Sequence, residues 1–528
     1  MTGIPAAVAR FAASWFTTPI CIHIAFASAA IAASIICPTS SGLRKISTIS
    51  IGVVISERLP NLINFNCGRG SGAYFHPDTR SPDGSSAFCP DVPGNVTSYN
   101  IRYNDFYNVD NNAIPPNATY TNGSYSYKRL PNLVNLNVDG NYRLTDNSHS
   151  LDSADTISSI NYSTTAVAIP NGLNGKTNLN SFTSVYNRNS SDIANNRSLL
   201  TASGDYKFAV CNSLSTLHLY ATNLGAINFP LSFSNAALSY LDLRYTSIKG
   251  GRPGSDGSQE YVIYSETFRD AVDIRYIMID SGNLGSNFPS GKNRIHPDSF
   301  LFNSELYYIW YRSYGATTGN ISQLFNSNSK LQYIWMQSNA FTGTVPNFTG
   351  NPNIYYVNLQ YNQLSGTIPG FKNLNSLSYL YLQNNNLTAI GEPEALPSLR
   401  TYQAPNNQLG GQIPDFSGCT NLRSLTLRNN VLTSYKVGAF AKLYRINFID
   451  LKFNNLSQTD LDNILVDLHT NWNAIKRGGV SINLKNQTNS SGALAFPSEV
   501  GYAKARILVA NGWSIGLSGG IPPEPTEV

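Results

Sequence analysis

Charge is scarce in this chain of 528 residues: Asp, Glu, Lys and Arg together make up 13% of it, far below the usual quarter. The 36 basic and 31 acidic residues leave a formal charge of +5 with no basic cluster, which argues against nucleic acid as a partner. Catalytic signatures are missing too. His218, His296 and His469 sit in unrelated contexts, and no H-E-x-x-H, G-x-S-x-G, C-x-x-C or phosphate-binding glycine loop occurs, so no metal or cofactor is expected. Six cysteines do not make a disulfide scaffold at this size. Cys67 reads as a small buried hydrophobe, although a Cys67–Cys89 bridge would close an early insertion in an exported chain; Cys211 and Cys419 are isolated. The one long apolar run, residues 20–37, follows Arg10 and contains Ala27-Ser28-Ala29, so residues 1–45 read as an export signal or signal-anchor. Nothing else is long and apolar enough to cross a membrane, so removal of residues 1–45 would leave no span.

What the chain has instead is amides, hydroxyls and 31 tyrosines, over a hydrophobic share of 41% that can bury a large core. Such a surface suits an extracellular, cell-surface or virion protein. Sequons at Asn95, Asn117, Asn161, Asn320, Asn347, Asn386 and Asn455 are no more than this composition generates by chance, and carry glycans only in a host that glycosylates.

Between residues 331 and 456 one pattern recurs six times. The frame L-x-x-L-x-L-x-x-N-x-L restarts at Leu331, Ile354, Leu377, Leu399, Leu422 and Ile446, in steps of 22 to 24 residues. That period predicts an α/β solenoid in which each turn adds one strand to a parallel concave sheet and points its frame residues inward. Asn339, Asn362, Asn385, Asn407, Asn430 and Asn454 are then placed to stack as a ladder satisfying backbone groups where the chain leaves the strand. Weaker copies precede these, at Leu214/Leu217/Leu219, Leu238/Leu241/Leu243, Ile274/Ile277/Ile279 and Leu306/Ile309/Tyr311, with Thr222 and Thr246 at the ladder position. Earlier still, degenerate turns fit Phe65/Cys67, Val96/Tyr99/Ile101, Leu136/Val138, Ile157/Ile160/Tyr162 and Leu179/Phe182, separated by longer insertions. The expected organisation is degenerate repeats over 55–210, regular repeats over 211–456, a helical cap over 457–516 and a disordered tail over 517–528. The cap follows from Leu461, Ile464, Leu465, Leu468 and Trp472 at helical spacing after a polar start, then a strand (Val480, Ile482, Leu484) and a second helix near 498–511.

Residues between the frame positions point outward on the sheet. One such position holds Tyr240, Tyr276, Tyr308, Tyr333, Tyr356 and Tyr379; the next holds Asp242, Met278, Trp310, Trp335, Asn358, Tyr381 and Gln403; the third holds Arg244, Asp280, Arg312, Gln337, Gln360 and Gln383. Stacked Tyr and Gln ladders stabilise a sheet by themselves. Exposed tryptophans add nothing to that, and contiguous aromatic patches mark binding sites. Tyr, Trp, Arg and small polar residues are also the composition of antibody-like recognition surfaces. The candidate ligand-binding set is therefore Tyr240, Asp242, Arg244, Tyr276, Tyr308, Trp310, Arg312, Tyr333, Trp335, Gln337, Tyr356, Gln360, Tyr379, Tyr381 and Gln383, with a sugar ring stacking on Trp310 and Trp335 or a protein epitope as the partner. Asp242 and Asp280 are the only carboxylate pair that acid/base catalysis could use, and the neighbouring Arg244 favours an ion pair instead.

The segments Asn339 to Pro346, Asn362 to Pro369 and Asn407 to Pro414 resemble the leucine-rich repeat family, in its plant-type "SGxIP" subclass. Paired-cysteine caps and a kinase domain, which plant receptor kinases carry, are absent, and the C-terminal run with Ala503-Lys504-Ala505 and Asn511-Gly512-Trp513 looks more like the ends of leucine-rich proteins on bacterial surfaces and in phage or virus particles. The resemblance implies a horseshoe fold and a recognition module without chemistry of its own. Three readings follow: an adhesion or recognition protein binding a protein or cell-surface glycan, a structural assembly protein, and last a carbohydrate-active enzyme.

Overall fold

The computed structural model describes residues 133–137, 155–163, 176–185, 206–222, 232–246, 261–280, 293–312, 317–393, 395–488 and 492–525, with a few single residues and several isolated strands besides. The chain divides into two compact units, Met1–Lys249 and Gly250–Val528.

In the first unit a parallel ladder runs through Leu62–Asn66, Ser98–Asn100, Asn135–Asn137, Ser159–Asn161, Ser181–Thr183, Thr216–His218 and Tyr240–Arg244. The first five of these strands lie at the degenerate turns read from the sequence and the last two at the weaker frame copies of Leu217 and Leu241, and the described frame residues, Leu136, Ile160, Phe182, Leu217 and Leu241, are all buried. Two strands, His23–Ala27 and Ala32–Ile36, pair antiparallel within the apolar run, and the second lies parallel to Leu62–Asn66. The rest of residues 1–45, and Cys67 and Cys89, lie outside the described residues.

The second unit holds the regular repeats. Tyr276–Asp280, Tyr308–Arg312, Tyr333–Trp335, Tyr356–Asn358, Tyr379–Tyr381, Thr401–Gln403, Ser424–Thr426 and Phe448–Asp450 pair in parallel, strand to strand, without a register shift. The register cannot slip, because a one-residue shift would turn every buried Leu or Ile to solvent. Leu380, Leu382, Leu425 and Leu427 are fully buried, as the frame requires.

The asparagine ladder closes each turn. Asn385 Nδ2 donates to the carbonyls of Leu359 and Leu382, both at 3.0 Å, while its Oδ1 accepts from Leu364 N–H at 3.0 Å. Asn362, Asn407, Asn430 and Asn454 repeat the same three contacts one turn at a time. Gln487 takes over after Asn454, reaching Leu451 O at 2.6 Å. In the first unit Thr222 and Thr246 hold the position with one hydroxyl bond each, to Ser184 O and Leu243 O.

Three features go beyond the sequence-based expectation. The Ser-Gly-rich segments after the ladder form further parallel strands, such as Ser365–Ile368 with Asn386–Ile390 and Gly410–Ile413 with Val431–Tyr435. Phenylalanines stack along the opposite side of the core, Phe268 on Phe300 on Phe325 and Phe348 on Phe371, with ring centroids 5.8 to 6.2 Å apart. Beside them Asn303, Asn328 and Asn351 form a second amide ladder to the carbonyls of the preceding turn.

The cap follows its expected order: a helix, Gln458–Ile475, a strand, Ser481–Asn483, and a helix, Glu499–Ala510. Ser457 and Asp460 form a reciprocal capping box at the first helix, and Asp460 also accepts the Tyr435 N–H at 2.9 Å, tying the helix to the last repeat. Asp467 adds a bond from the Tyr435 hydroxyl at 2.5 Å. The main sheet itself runs on through Ser481–Asn483 to a final strand, Ser514–Gly516. In residues 517–525, Leu517 is buried and the Pro522 carbonyl accepts from Arg506 Nη1 at 3.1 Å. No helix among the described residues is long and apolar enough to cross a membrane.

Candidate binding face

Strand register in the second unit brings Tyr276, Tyr308, Tyr333, Tyr356 and Tyr379 into one column, each half-buried. Their spacing follows from the parallel sheet, and ring centroids lie 5.9 to 6.2 Å apart in the pairs Tyr276–Tyr308, Tyr308–Tyr333 and Tyr356–Tyr379. The column is thicker than the sequence reading allowed. Tyr307 and Tyr355, one residue ahead of the strand, slot between its members: Tyr276–Tyr307, Tyr307–Tyr333, Tyr333–Tyr355 and Tyr355–Tyr379 stand 5.5 to 5.6 Å apart. The doublets Tyr307-Tyr308 and Tyr355-Tyr356 were the signal. Burial, and then hydrogen bonding to Tyr333 and Tyr379 respectively, raises the phenol pKa of Tyr307 and Tyr355, and burial does the same for Tyr356 and Tyr381, so these phenols keep their protons at neutral pH.

The next column carries the tryptophans. Trp310 stacks on Trp335 at 5.3 Å and 15°, Trp335 on Tyr356 at 4.1 Å and 19°, and Tyr356 meets Tyr381 at 5.5 Å and 44°. Met278 precedes Trp310 in the same register. Trp335 therefore lies between the rings of Trp310 and Tyr356. A sugar ring stacking on Trp335 would have to compete with these neighbours, since face stacking needs a free face.

The third column mixes charge and amides. Asp280 is fully buried and accepts from Arg312 Nε at 3.1 Å and Nη2 at 2.7 Å. Gln383 Nε2 donates to Gln360 Oε1. Gln337, expected at the surface, is buried with its Oε1 lacking a partner.

In the first unit, Tyr240, Asp242 and Arg244 share one strand with a different outcome. Asp242 is completely buried, not solvent-facing as expected, because its carboxylate serves its own strand: Arg244 donates from Nε at 3.0 Å, Nη2 at 2.7 Å and its backbone N–H at 3.0 Å. His218 Nε2 stands 3.4 Å away and the Tyr240 hydroxyl 3.5 Å. Burial would raise the Asp242 pKa, but the bonds from His218 and Arg244 outweigh it, and the carboxyl is held below its ordinary value. Arg244 also lies over the Tyr220 ring at 5.2 Å. Asp242 and Asp280 belong to different units, and each is bound by its own arginine.

A constant parallel register, an inward frame repeating every 22 to 24 residues and an amide ladder bonded through successive turns decide the architecture. This is a leucine-rich repeat fold. No family model matches the chain, and no curated protein matches it. Among solved structures, it is similar to the plant peptide hormone receptor RGFR1 in complex with RGF2, at 16% identity and a TM-score of 0.49 over 82% of this chain; the match spans less than two thirds of that receptor, 64%. A leucine-rich repeat protein of Leptospira interrogans is similar at 15% identity and a TM-score of 0.46, covering 87% of this chain and 90% of that one. An internalin of Listeria monocytogenes is similar at 19% identity and a TM-score of 0.38, over 62% of this chain and 76% of its own. On this leucine-rich repeat frame the face from Tyr276 to Tyr381 offers aromatic edges, phenol hydroxyls and amides, a surface equipped for hydrogen bonding and apolar contact.

Proposed function

We propose that the protein is a non-enzymatic recognition module, extracellular, on a cell surface or on a virion, which binds a segment of another protein across the face from Tyr276 to Tyr381. The observation that carries this reading is a contrast within one sheet. Downstream, the tyrosine position holds Thr401, Ser424, Phe448 and Ser481, and the tryptophan position Gln403, Thr426, Asp450 and Asn483, in the same register and over the same buried core. In these two positions the sheet forms there with Phe448 as its one ring, so folding does not require a continuous aromatic column upstream. A contiguous, half-exposed aromatic surface that folding does not need marks a contact site. The mutual stacking of Trp310, Trp335 and Tyr356 supports a protein partner over a glycan, because edges and hydroxyls suit backbone and side-chain contacts, whereas a sugar needs a ring face. Structural assembly is the second reading, favoured by the same stacking if the rings act as an internal ladder.

The test selects a phage-displayed random peptide library against the immobilised full-length chain and measures recovered peptides on Trp335→Ala. Recognition predicts affinity falling by about 2 kcal/mol, as for an aromatic hot spot, with little change in melting temperature. A ladder predicts lost stability and unchanged affinity per folded molecule. A glycan array run in parallel would overturn the choice of a protein partner if a glycan bound through Trp335 and no peptide did.

A further inference from the structure

Past Tyr381 the face changes from mainly aromatic to mainly cationic, with Phe448 the one ring left in the tyrosine column. Arg428, Lys452 and Lys485 each follow their strand by two residues, and the ladder continues through them: Asn429 N–H donates to Lys452 O and Phe453 N–H to Lys485 O, both at 3.0 Å. The three side chains therefore form one column across three consecutive strands, with neighbours about 4.8 Å apart in the hydrogen-bonding direction. Arg400 and Arg423 flank it, each exposed and each in the position that Tyr307 and Tyr355 occupy upstream. Against these five cations the strands offer one carboxylate, Asp450, which lies 3.8 Å from Arg428 and accepts the Lys452 N–H at 3.3 Å. Arg400, Arg423 and Lys485 form no ion pair among the described residues. In a chain with so few charges, five cations on adjacent strands are a concentrated field.

We infer that this face binds an extended acidic protein segment, its apolar part on the aromatic edges up to Tyr381 and its carboxylates on the column Arg428, Lys452 and Lys485. The inference rests on the recognition reading above and adds the chemistry and direction of the ligand. From the strand of Tyr381 to that of Asn483 is four strand steps, about 19 Å, which about six extended residues cover. A segment of about twelve residues would span the aromatic and cationic parts together. Charge complementarity selects the acid, since cations on adjacent strands repel one another until an anion lies between them. Protein is chosen over single-stranded nucleic acid because bases need a free aromatic face and Trp335 is stacked on both sides, and over a sulfated glycan because that polymer, held by charge, would leave the apolar half of the face unused.

The experiment measures fluorescence anisotropy of three labelled probes on the full-length chain: a dodecapeptide with six alternating Leu-Ser residues followed by six alternating Glu-Ser residues, a heparin-derived hexasaccharide, and a twelve-nucleotide thymidine strand. The peptide should bind most tightly, and Lys452→Glu with Lys485→Glu should weaken it at least about tenfold, with a matching loss of salt dependence. The peptide with its acidic half replaced by Lys-Ser should not bind. Tighter binding by the hexasaccharide or the nucleic acid, or an unchanged peptide affinity in the double variant, overturns the inference. Melting temperature checks that the double variant folds, and Arg428→Gln provides a milder second reading. Library selection separates the two levels: if Trp335-dependent peptides are recovered without acidic enrichment, the acid inference fails while recognition stands, and if no peptide depends on Trp335 both fail.

Discussion

The strands from Tyr276 to Tyr381 and those from Thr401 to Asn483 are two versions of one backbone. Their inward residues are interchangeable, Leu380 and Leu382 for Leu425 and Leu427, all buried. Their ladder amides make the same three bonds, as Asn385 and Asn430 show. The outward residues differ, mostly rings in one half and, apart from Phe448, hydroxyls, amides and charged groups in the other. Fold and surface are thus specified by separate sets of positions, and each can be perturbed alone.

The largest effect should come from the shared core. Leu382→Ala and Leu427→Ala should each cost about 2–5 kcal/mol in chemical denaturation, through the cavity left in a packed interior. A large difference between the two would break the equivalence of the halves.

Next come the amides. Asn385→Ala and Asn430→Ala should each lower stability by about 1–3 kcal/mol, because two carbonyls and one N–H lose their partner in a buried turn. An unchanged melting temperature for either would mean that water replaces the side chain there.

Carboxylates in equivalent strand positions sharpen the comparison through pH. Asp242 is held below its ordinary pKa by His218 and Arg244, whereas Asp450 is raised, burial outweighing its backbone bond to Lys452 and the charges of Lys452 and Arg428. A lowered pKa contributes stability that is present above the unfolded value and lost as pH falls through the folded one. Asp242→Asn should therefore destabilise at neutral pH and flatten the acid limb of the stability curve. For Asp450 the sign reverses: the folded state holds the proton more tightly, so stability falls as pH rises from the unfolded to the folded value. Asp450→Asn should steepen no acid limb and should leave neutral stability equal or higher; an acid-limb loss like that of Asp242→Asn would reject the assignment.

The smallest effect tests whether the rings matter to folding at all. Trp335→Gln, which installs the residue found in the same register at Gln403, should change stability by no more than about 1 kcal/mol, the scale of one cross-strand pair. A loss of several kcal/mol would make the aromatic column a structural spine.

Much of this was legible in the residues. The frame period identifies which side chains go inward, because an apolar side chain repeated every turn has only the interior to enter, and the outward columns follow from strand alternation. Tyr307 and Tyr355 escaped that reading because they precede the strand, where alternation no longer assigns a side. The Ser365–Ile368 and Gly410–Ile413 strands escaped it because glycine, serine and threonine carry no apolar alternation. The phenylalanine stack was visible in principle, as Phe300-x-x-Asn303, Phe325-x-x-Asn328 and Phe348-x-x-Asn351 repeat at the same period.

What only the tertiary structure decided is how the outward side chains use their surfaces. Sequence places Trp310 beside Trp335 and Asp242 two residues from Arg244, but adjacency leaves the side-chain rotations free. Packing sets them: Asn358 is short, so Trp335 lies against Tyr356, and the Arg244 fork closes over Asp242 with His218 from the preceding strand. Those rotations make of Trp310, Trp335 and Tyr356 one stack and turn an expected surface carboxylate into a buried ion pair, because a side chain's free face depends on neighbours that lie a full repeat away in the chain.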